Sequence, residues 1–396
     1  MSERYIWGID VGTSSIKVFA GTSASDGSIS ISGSGIMPAA GFTKGTITDI
    51  QALTQSIKEA IDCVVMATDI PIGNAYIGIG GMGSSSLNSK GSVAPALPNG
   101  ITQEDIDRVY RAAVIGNVPN ELQVLHVLPK IFWVDGQEQI SKPLNYKGKQ
   151  LEVEAHIVTM PKLIVDQIID AVQSIGINVA GIVANSIVIT QALVSSSEVQ
   201  PCLIIDMGAG ITDLVLYRDG QVWESASLPL GGDYITGDIM QGVAISQVHA
   251  EEIKRYYSKL DKNLLGQNIT LDCNDYGTTD KQVSYDFLHD IVESRVDEII
   301  RLVYDYLRPL LSEHNVQQVL LTGGCAAMPS IKDCLERVFE IPVHISIPPQ
   351  LLAEYAYPSN SACYGVLRYA AKHLPAKEVL RDNVWHSLIG RIKKLF

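Results

Sequence analysis

One pattern occurs twice in this chain and limits what it can become. Ile6-Trp7-Gly8-Ile9 is an apolar run that ends at Asp10, turns through Val11-Gly12-Thr13-Ser14-Ser15, and returns as Ile16-Lys17-Val18-Phe19-Ala20. The same succession begins again 196 residues later, counted from Asp10 to Asp206. Leu203-Ile204-Ile205 leads to Asp206, the turn is Met207-Gly208-Ala209-Gly210, and the return runs from Ile211 to Tyr217. Self-similarity at that distance predicts two related halves, not a solenoid of short repeats. Helical stretches between the strand-like runs predict an α/β fold throughout.

The chain has 396 residues, enough for roughly two to four domains. With 46% hydrophobic and only 18% charged residues it carries ample apolar surface for a large core, which excludes an intrinsically disordered protein. A net charge of −13 opposes the basic surface that nucleic-acid binding needs, so no nucleic-acid partner is expected. Six cysteines are scattered without a C-x-x-C pair or a histidine at zinc spacing, as reduced core thiols would be. The amino terminus lacks the basic start and apolar run of a signal peptide, and no run of ~18 apolar residues occurs. These features predict a cytosolic protein, attached to a surface only by something other than a spanning helix.

Periodicity places a helix over Thr48–Met66 and a strand over Tyr76–Gly80. Thr102-Gln103-Glu104-Asp105 caps a helix reaching about Ile115, and strand-like runs follow at Leu125–Leu128, Ile131–Val134 and Leu151–Val158. This region reads as an inserted small α+β module. Lys162–Ile175 is a helix ended by Gly176, and a long amphipathic helix covers about Tyr285–Leu311. Val319–Thr322, Gly323-Gly324, Ser330–Phe339 and Val343–Ile345 form a βαβ-like unit.

A strand ending in Asp and followed by small hydroxyl residues and glycine is suited to phosphate, because backbone N–H groups can approach the oxygens closely. Gly12, Thr13, Ser14 and Ser15 can cup one end of a polyphosphate, with Lys17 compensating charge; Gly208, Ala209, Gly210 and Ile211 can cup the other. Asp10 and Asp206, at matching strand ends, are placed to hold a hydrated Mg²⁺ between the halves and to position water. One such turn alone is an ordinary β-turn; two copies on a duplicated framework point to a nucleotide. Gly323-Gly324 lets a flat ring or ribose pack on the backbone, and close helix–strand packing is the plainer alternative.

In this order the three elements resemble the actin / Hsp70 / sugar-kinase ATPase superfamily, and within it the chain resembles the FtsA family over essentially its whole length. Ile9–Ser14 matches the first phosphate motif, Ile205–Asp213 the second, and Leu321–Gly324 the adenosine motif. Leu228-Pro229-Leu230-Gly231-Gly232-Asp233, with Ala250-Glu251-Glu252-Ile253-Lys254 downstream, is more diagnostic, as are Ile101–Ile106 and Val124–Pro129 in the insert. The resemblance implies an actin-like two-lobed fold of duplicated ribonuclease-H-like domains, binding ATP and Mg²⁺, with Gly232, Lys254 and either Glu251 or Glu252 near the adenosine. It further implies self-association into filaments, a tether for FtsZ at the division site, and contacts of the insert with later division proteins.

The expected division assigns 1–83 and 161–200 to the first lobe and 84–160 to the insert. It assigns 201–229 and 312–374 to the second lobe and 230–311 to its peptide-binding subdomain. Residues 375–383 are a linker and 384–396 a terminal helix.

Two departures from the family pattern matter. Its second turn usually reads Gly-Gly-Gly-Thr, so Ile211 removes a hydroxyl donor. Where related enzymes orient the attacking water with a glutamate, this chain offers only Asn185, a poor base. ATP binding with slow or absent hydrolysis is therefore expected.

On a helical wheel of the last 13 residues, Val384, Trp385, Leu388, Ile389, Ile392, Leu395 and Phe396 share an arc of roughly 140°. Arg391, Lys393 and Lys394 lie opposite with no acid, the composition of a helix lying in a membrane surface. A terminal helix packed on its own core is the alternative. FtsA proteins end in such a targeting helix, which implies peripheral attachment to the cytoplasmic membrane. The resemblance also places the acidic, apolar FtsZ C-terminal peptide on 230–311, where Arg295 and Arg301 would suit it. Arg295 matches a family position nearer the contact between protomers, and both arginines also fit a solvated helix face. A small-molecule kinase and a pilus-type adaptor of the same superfamily are the competing functions.

Overall fold

The apolar run ending at Asp10 is β1 (Arg4–Val11), and its return is β2 (Ser15–Ser23), followed by β3 (Ile29–Pro38). The computed structural model describes residues 4–24, 27–96, 100–194, 200–260, 263, 265–272 and 282–373. A two-residue hairpin joins β4 (Phe42–Thr43) to β5 (Thr46–Ile47). Helix α1 (Ile50–Ala67) starts at Asp49, whose carboxylate accepts from the amides of Gln51 and Ala52, and buries Leu53, Ile57, Ala60, Ile61 and Val64. β6 (Ala75–Ile79) is buried throughout and runs parallel to β1.

The insert then begins. β7 (Ser85–Val93), α2 (Gln103–Val114), β8 (Leu122–Val134), β9 (Gln137–Ile140) and β10 (Leu151–Pro161) make a sheet in the order β7-β10-β8-β9 with α2 packed on it. Thr102 and Asp105 form a reciprocal capping box at the start of α2. The two strand-like runs expected over 125–134 are one strand. Pro129 cannot donate a ladder bond, and the register with β10 slips there, leaving Lys130 unpaired in the ladder.

The chain returns to the first lobe through α3 (Lys162–Ser174), β11 (Val179–Ala184) and α4 (Asn185–Leu193). The second lobe holds β12 (Cys202–Met207), β13 (Thr212–Arg218), β14 (Gln221–Leu228), α5 (Gly232–Val243) and α6 (Gln247–Tyr257). A small ribbon of β15 (Thr270–Asp272) and β16 (Gln282–Ser284) leads into α7 (Tyr285–His314), capped by Ser284. Then come β17 (Gln318–Thr322), α8 (Pro329–Phe339), β18 (Val343–Ile345) and α9 (Ser361–His373).

The repeat seen in the sequence is a repeat of topology. One sheet has the order β3-β2-β1-β6-β11 and the other β14-β13-β12-β17-β18, each with two antiparallel pairings followed by two parallel ones. Across the hairpins Asp10 pairs with Lys17, and Asp206 pairs with Asp213.

One expectation needs correction. Residues 312–374 do not all belong to the second lobe. α9 packs on β1, β6 and α4, burying Cys363, Tyr364, Val366, Leu367 and Ala370 against Ile6, Tyr76, Val183 and Val188. An apolar helix face of that size has to cover a sheet, and the uncovered face belongs to the first lobe.

The insert also meets the second lobe. His156, fully buried, bonds through Nδ1 to Asn88 Oδ1 at 2.9 Å and through Nε2 to Ser225 Oγ at 2.8 Å. Lys130 lies 3.4 Å from Glu224 and 3.2 Å from Glu154, and over the Trp223 ring.

Candidate functional site

Both hairpin turns face one cleft of about 580 Å³ between the lobes. Its lining includes Asp10, Gly12, Thr13, Ser14, Ser15 and Lys17 from the first lobe. The second lobe supplies Asp206, Gly208, Ala209, Ile211, Glu251, Lys254, Gly323 and Gly324. The turns approach so closely that a β-carbon on Gly210 would stand 2.8 Å from Thr13 Cγ2. Gly210 therefore sits at the seam between the turns and outside the cleft lining. Gly12 has equally little room, with a β-carbon meeting the Ser15 carbonyl at 2.9 Å.

Three carboxylates converge here. Asp10 Oδ1 accepts from Asn185 Nδ2 at 2.9 Å, and Lys17 Nζ lies 3.9 Å from Asp10 Oδ2 while donating to the Ser359 carbonyl at 2.6 Å. Asp213 accepts from the Ser227 hydroxyl and faces Gly80, where a β-carbon would be 2.8 Å from Oδ2. Burial pushes the Asp206 carboxyl up to about 8, helped by repulsion from Asp213 and Asp10. Burial likewise raises Asp213 to about 7, partly offset by the Ser227 hydrogen bond, and raises Asp10 against the pull of Lys17 and Asn185. This wall holds negative charge poorly without protons or a cation. Among the described residues, no group of three or more His, Cys, Asp or Glu could hold a metal ion directly.

At the other end, Lys254 Nζ donates to Gly232 O at 3.1 Å and Thr236 Oγ1 at 2.8 Å, and pairs with Glu251 Oε2 at 2.6 Å. Gly232 is pinned between that ammonium and Cys325 Sγ. Gly323, at φ +90°, faces the Asp206 carboxylate at a distance no side chain would tolerate, whereas the space beside Gly324 is open. An open face beside a glycine pair suits a flat ring or ribose.

Two polar atoms of cleft-lining residues stand beside the cleft, Thr13 Oγ1 turned toward Gly210 in the seam and Asn185 Oδ1 toward Gly78. Thr13 Oγ1 and Asn185 Oδ1 are both buried and have no partner.

The choice between Glu251 and Glu252 is decided by helical geometry. Glu251 lines the cleft, and Glu252, ~100° further round α6, is exposed, so Glu252 is withdrawn from the candidate set. Arg295 pairs with Asp238 at 2.5 Å and with Glu298, while Arg301 is an exposed residue paired with Asp297. Neither lines the cleft. Trp385, Leu388, Ile389, Arg391, Ile392, Lys393, Lys394, Leu395 and Phe396, with the linker before them, lie outside the described residues. Among the described residues no helix is long and apolar enough to cross a membrane.

Asp213 and Cys325, which stand within or beside the quoted motifs but were not named as site residues, line the cleft, as do Ser359, Asn360 and Arg255, which no motif touched. Asp213 was within reach. It is the residue 196 positions after Lys17, so carrying the repeat seven residues further finds it.

Comparison with known proteins accords with this architecture. Residues 203–365 match the family described as cell division protein FtsA, and residues 81–159 match the SHS2 domain inserted in FtsA. The FtsA protein of Pseudomonas aeruginosa is 31% identical over 351 residues, 88% of this chain and 84% of its own. Among solved structures, a chain of the PilM-PilN type IV pilus biogenesis complex superposes with a TM-score of 0.67 at 16% identity, covering 92% of this chain and 98% of its own. MreB5 of Spiroplasma citri bound to ADP gives 0.51 at 16% identity over 91% of this chain and 94% of its own. At such identities these structures speak for the fold alone, an actin-like one, and the kinase and pilus-adaptor readings are not favoured. Sequence, insert and fold agree that this chain belongs to the FtsA family of cell division proteins.

Proposed function

We propose that this protein binds Mg-ATP between its lobes, polymerises with copies of itself, and tethers FtsZ to the cytoplasmic membrane at the division site. The observation that carries the nucleotide part is the pair of glycine turns facing each other across a cleft lined by three buried carboxylates that call for a cation. Gly12, Thr13, Ser14, Ser15 and Lys17 would hold one end of the polyphosphate and Gly208, Ala209, Gly210 and Ile211 the other. Gly232, Glu251, Lys254, Gly323 and Gly324 would hold the adenosine. Mg²⁺ when bound supplies the positive charge that Asp10 and Asp206 call for, reached through water. Asn185, whose amide is committed to Asp10, is no base, so hydrolysis is slow or absent.

The basic, apolar segment 384–396 serves as the membrane-targeting amphipathic helix. One such helix with three cations attaches reversibly, and a polymer presenting many of them gains avidity. The FtsZ C-terminal peptide, acidic and apolar, is received on 230–311, where Arg301 is open to solvent; later division proteins meet the insert.

The test is co-sedimentation with anionic liposomes, with and without Mg-ATP, comparing the full chain with one ending at Asn383. Pelleting that depends on the tail and strengthens with ATP is expected. Equal behaviour of the two chains overturns the membrane role, and ATP-independent pelleting overturns its link to the cleft.

A further inference from the structure

The β4–β5 hairpin turns through Lys44 and Gly45, at φ +50° and +79°, the paired positive angles of a tight two-residue turn. Its tip is held from below by the first lobe. The Met82 amide donates to the Lys44 carbonyl at 2.9 Å, and Gly45 lies against the backbone of Gly81. Held this way, the tip reaches the second lobe. Lys44 Nζ donates to the Tyr234 hydroxyl at 2.8 Å and sits 4.0 Å from the centre of the Tyr234 ring.

Tyr234 is fixed from its own side. It stands in the first turn of α5, just after Gly232 and Asp233, whose amides donate to the carbonyls of Gly208 and Ala209 in the second phosphate turn. Arg295, from α7, lies 5.9 Å from the same ring and is anchored to Asp238 of α5 at 2.5 Å and 2.9 Å. One aromatic ring thus meets a cation from each lobe, beside the seam where Ile211 meets Gly81.

We propose that Lys44 and Tyr234 form a clasp that holds the lobes closed at the phosphate end of the cleft, and that Arg295 is its positioning residue. The clasp rests on the nucleotide reading for its role, which is to slow release of bound nucleotide; the contact itself does not. Through Arg295 it also ties the long helix of the peptide-binding subdomain to the state of the cleft. Anything that pulls Arg295 from Asp238 loosens Tyr234 and with it the closure.

The test uses the full chain, Mg²⁺ and N-methylanthraniloyl-ATP chased with unlabelled ATP in a stopped-flow instrument. Lys44→Met is expected to speed release about five- to tenfold, because a hydrogen bond and a cation–π contact go together. Tyr234→Phe keeps the ring and is expected to have a smaller effect. Arg295→Met is expected to speed release when Lys44 is present and to change it less than about twofold in the Lys44→Met background. Release unchanged in Lys44→Met, or effects of Lys44 and Arg295 that simply multiply, overturns the clasp. A second measurement is independent of nucleotide. In the ligand-free chain, Lys44→Met is expected to raise amide exchange at residues 231–235 of the opposite lobe, and unchanged exchange there overturns the clasp. Should wild type bind no labelled ATP, the nucleotide reading fails and the exchange measurement alone decides the contact.

Discussion

The side chain of Ile211, in the second lobe, ends against Gly81 in the first, where a β-carbon would come within 2.9 Å of its Cδ1. The residue that departs from the family's hydroxyl pattern therefore has an apolar contact across the seam. Ile211→Thr is expected to lower stability by about 1–2 kcal/mol through lost burial and an added hydroxyl. Denaturant melts of the ligand-free chain would check this; a more stable variant would refute the seam contact.

The Asp206 carboxyl, pushed up to about 8, keeps its proton in the folded chain across a range where the unfolded chain has lost it. Its contribution to stability is therefore fully present below pH ~4 and lost as pH rises toward 8. Asp206→Asn is expected to leave the ligand-free melting temperature unchanged near pH 4 and to raise it by roughly 2–5 °C at pH 8. Wild type is expected to gain further stability from Mg-ATP, and the same variant to lose that gain. Melting curves at the two pH values, with and without Mg-ATP, read out all three.

Gly323 has no room for a side chain. Its φ of +90° and the Asp206 carboxylate facing it oppose a β-carbon independently. Gly323→Ala is expected to cost about 1–3 kcal/mol, visible in urea unfolding, and to abolish labelled-ATP binding. Gly324→Ala, with open space around it, is expected to keep stability within about 0.5 kcal/mol while weakening the nucleotide.

His156 joins the insert to the second lobe in its neutral form. Burial, reinforced by Lys130, lowers its pKa to about 3, so between pH 6.5 and 3 the unfolded chain takes a proton that the folded chain refuses. Stability from this residue is present above pH ~6.5 and lost as pH falls, about 2 kcal/mol by pH 5. His156→Gln is expected to flatten that acid limb of a pH–stability profile while remaining folded at pH 7.5.

The duplication was legible because period-2 apolar runs and glycine turns are local signals, and each copy repeats them in the same order. Turn residues such as Thr13 and Gly208 were found for the same reason. What escaped was decided by pairing over distance. Ser359 and Asn360 reach the cleft from a single 3-10 turn more than 340 residues after Lys17, and nothing local marks them. Nothing local assigns α9 to a lobe, and only the bare face of a sheet laid down at the other end of the chain fixes its place. Tyr234 and Lys44, 190 residues apart, carry no motif at all.

Because α9 returns to the first sheet, the chain passes between the lobes twice, once from α4 to β12 and once from β18 to α9. A body tied to another at two separate points keeps one easy motion, rotation about the line that joins the ties. Sliding and twisting would stretch one tether or the other. Rotation about that line would open the cleft, and the bond from Lys44 to Tyr234, which joins the lobes through side chains alone, would resist it.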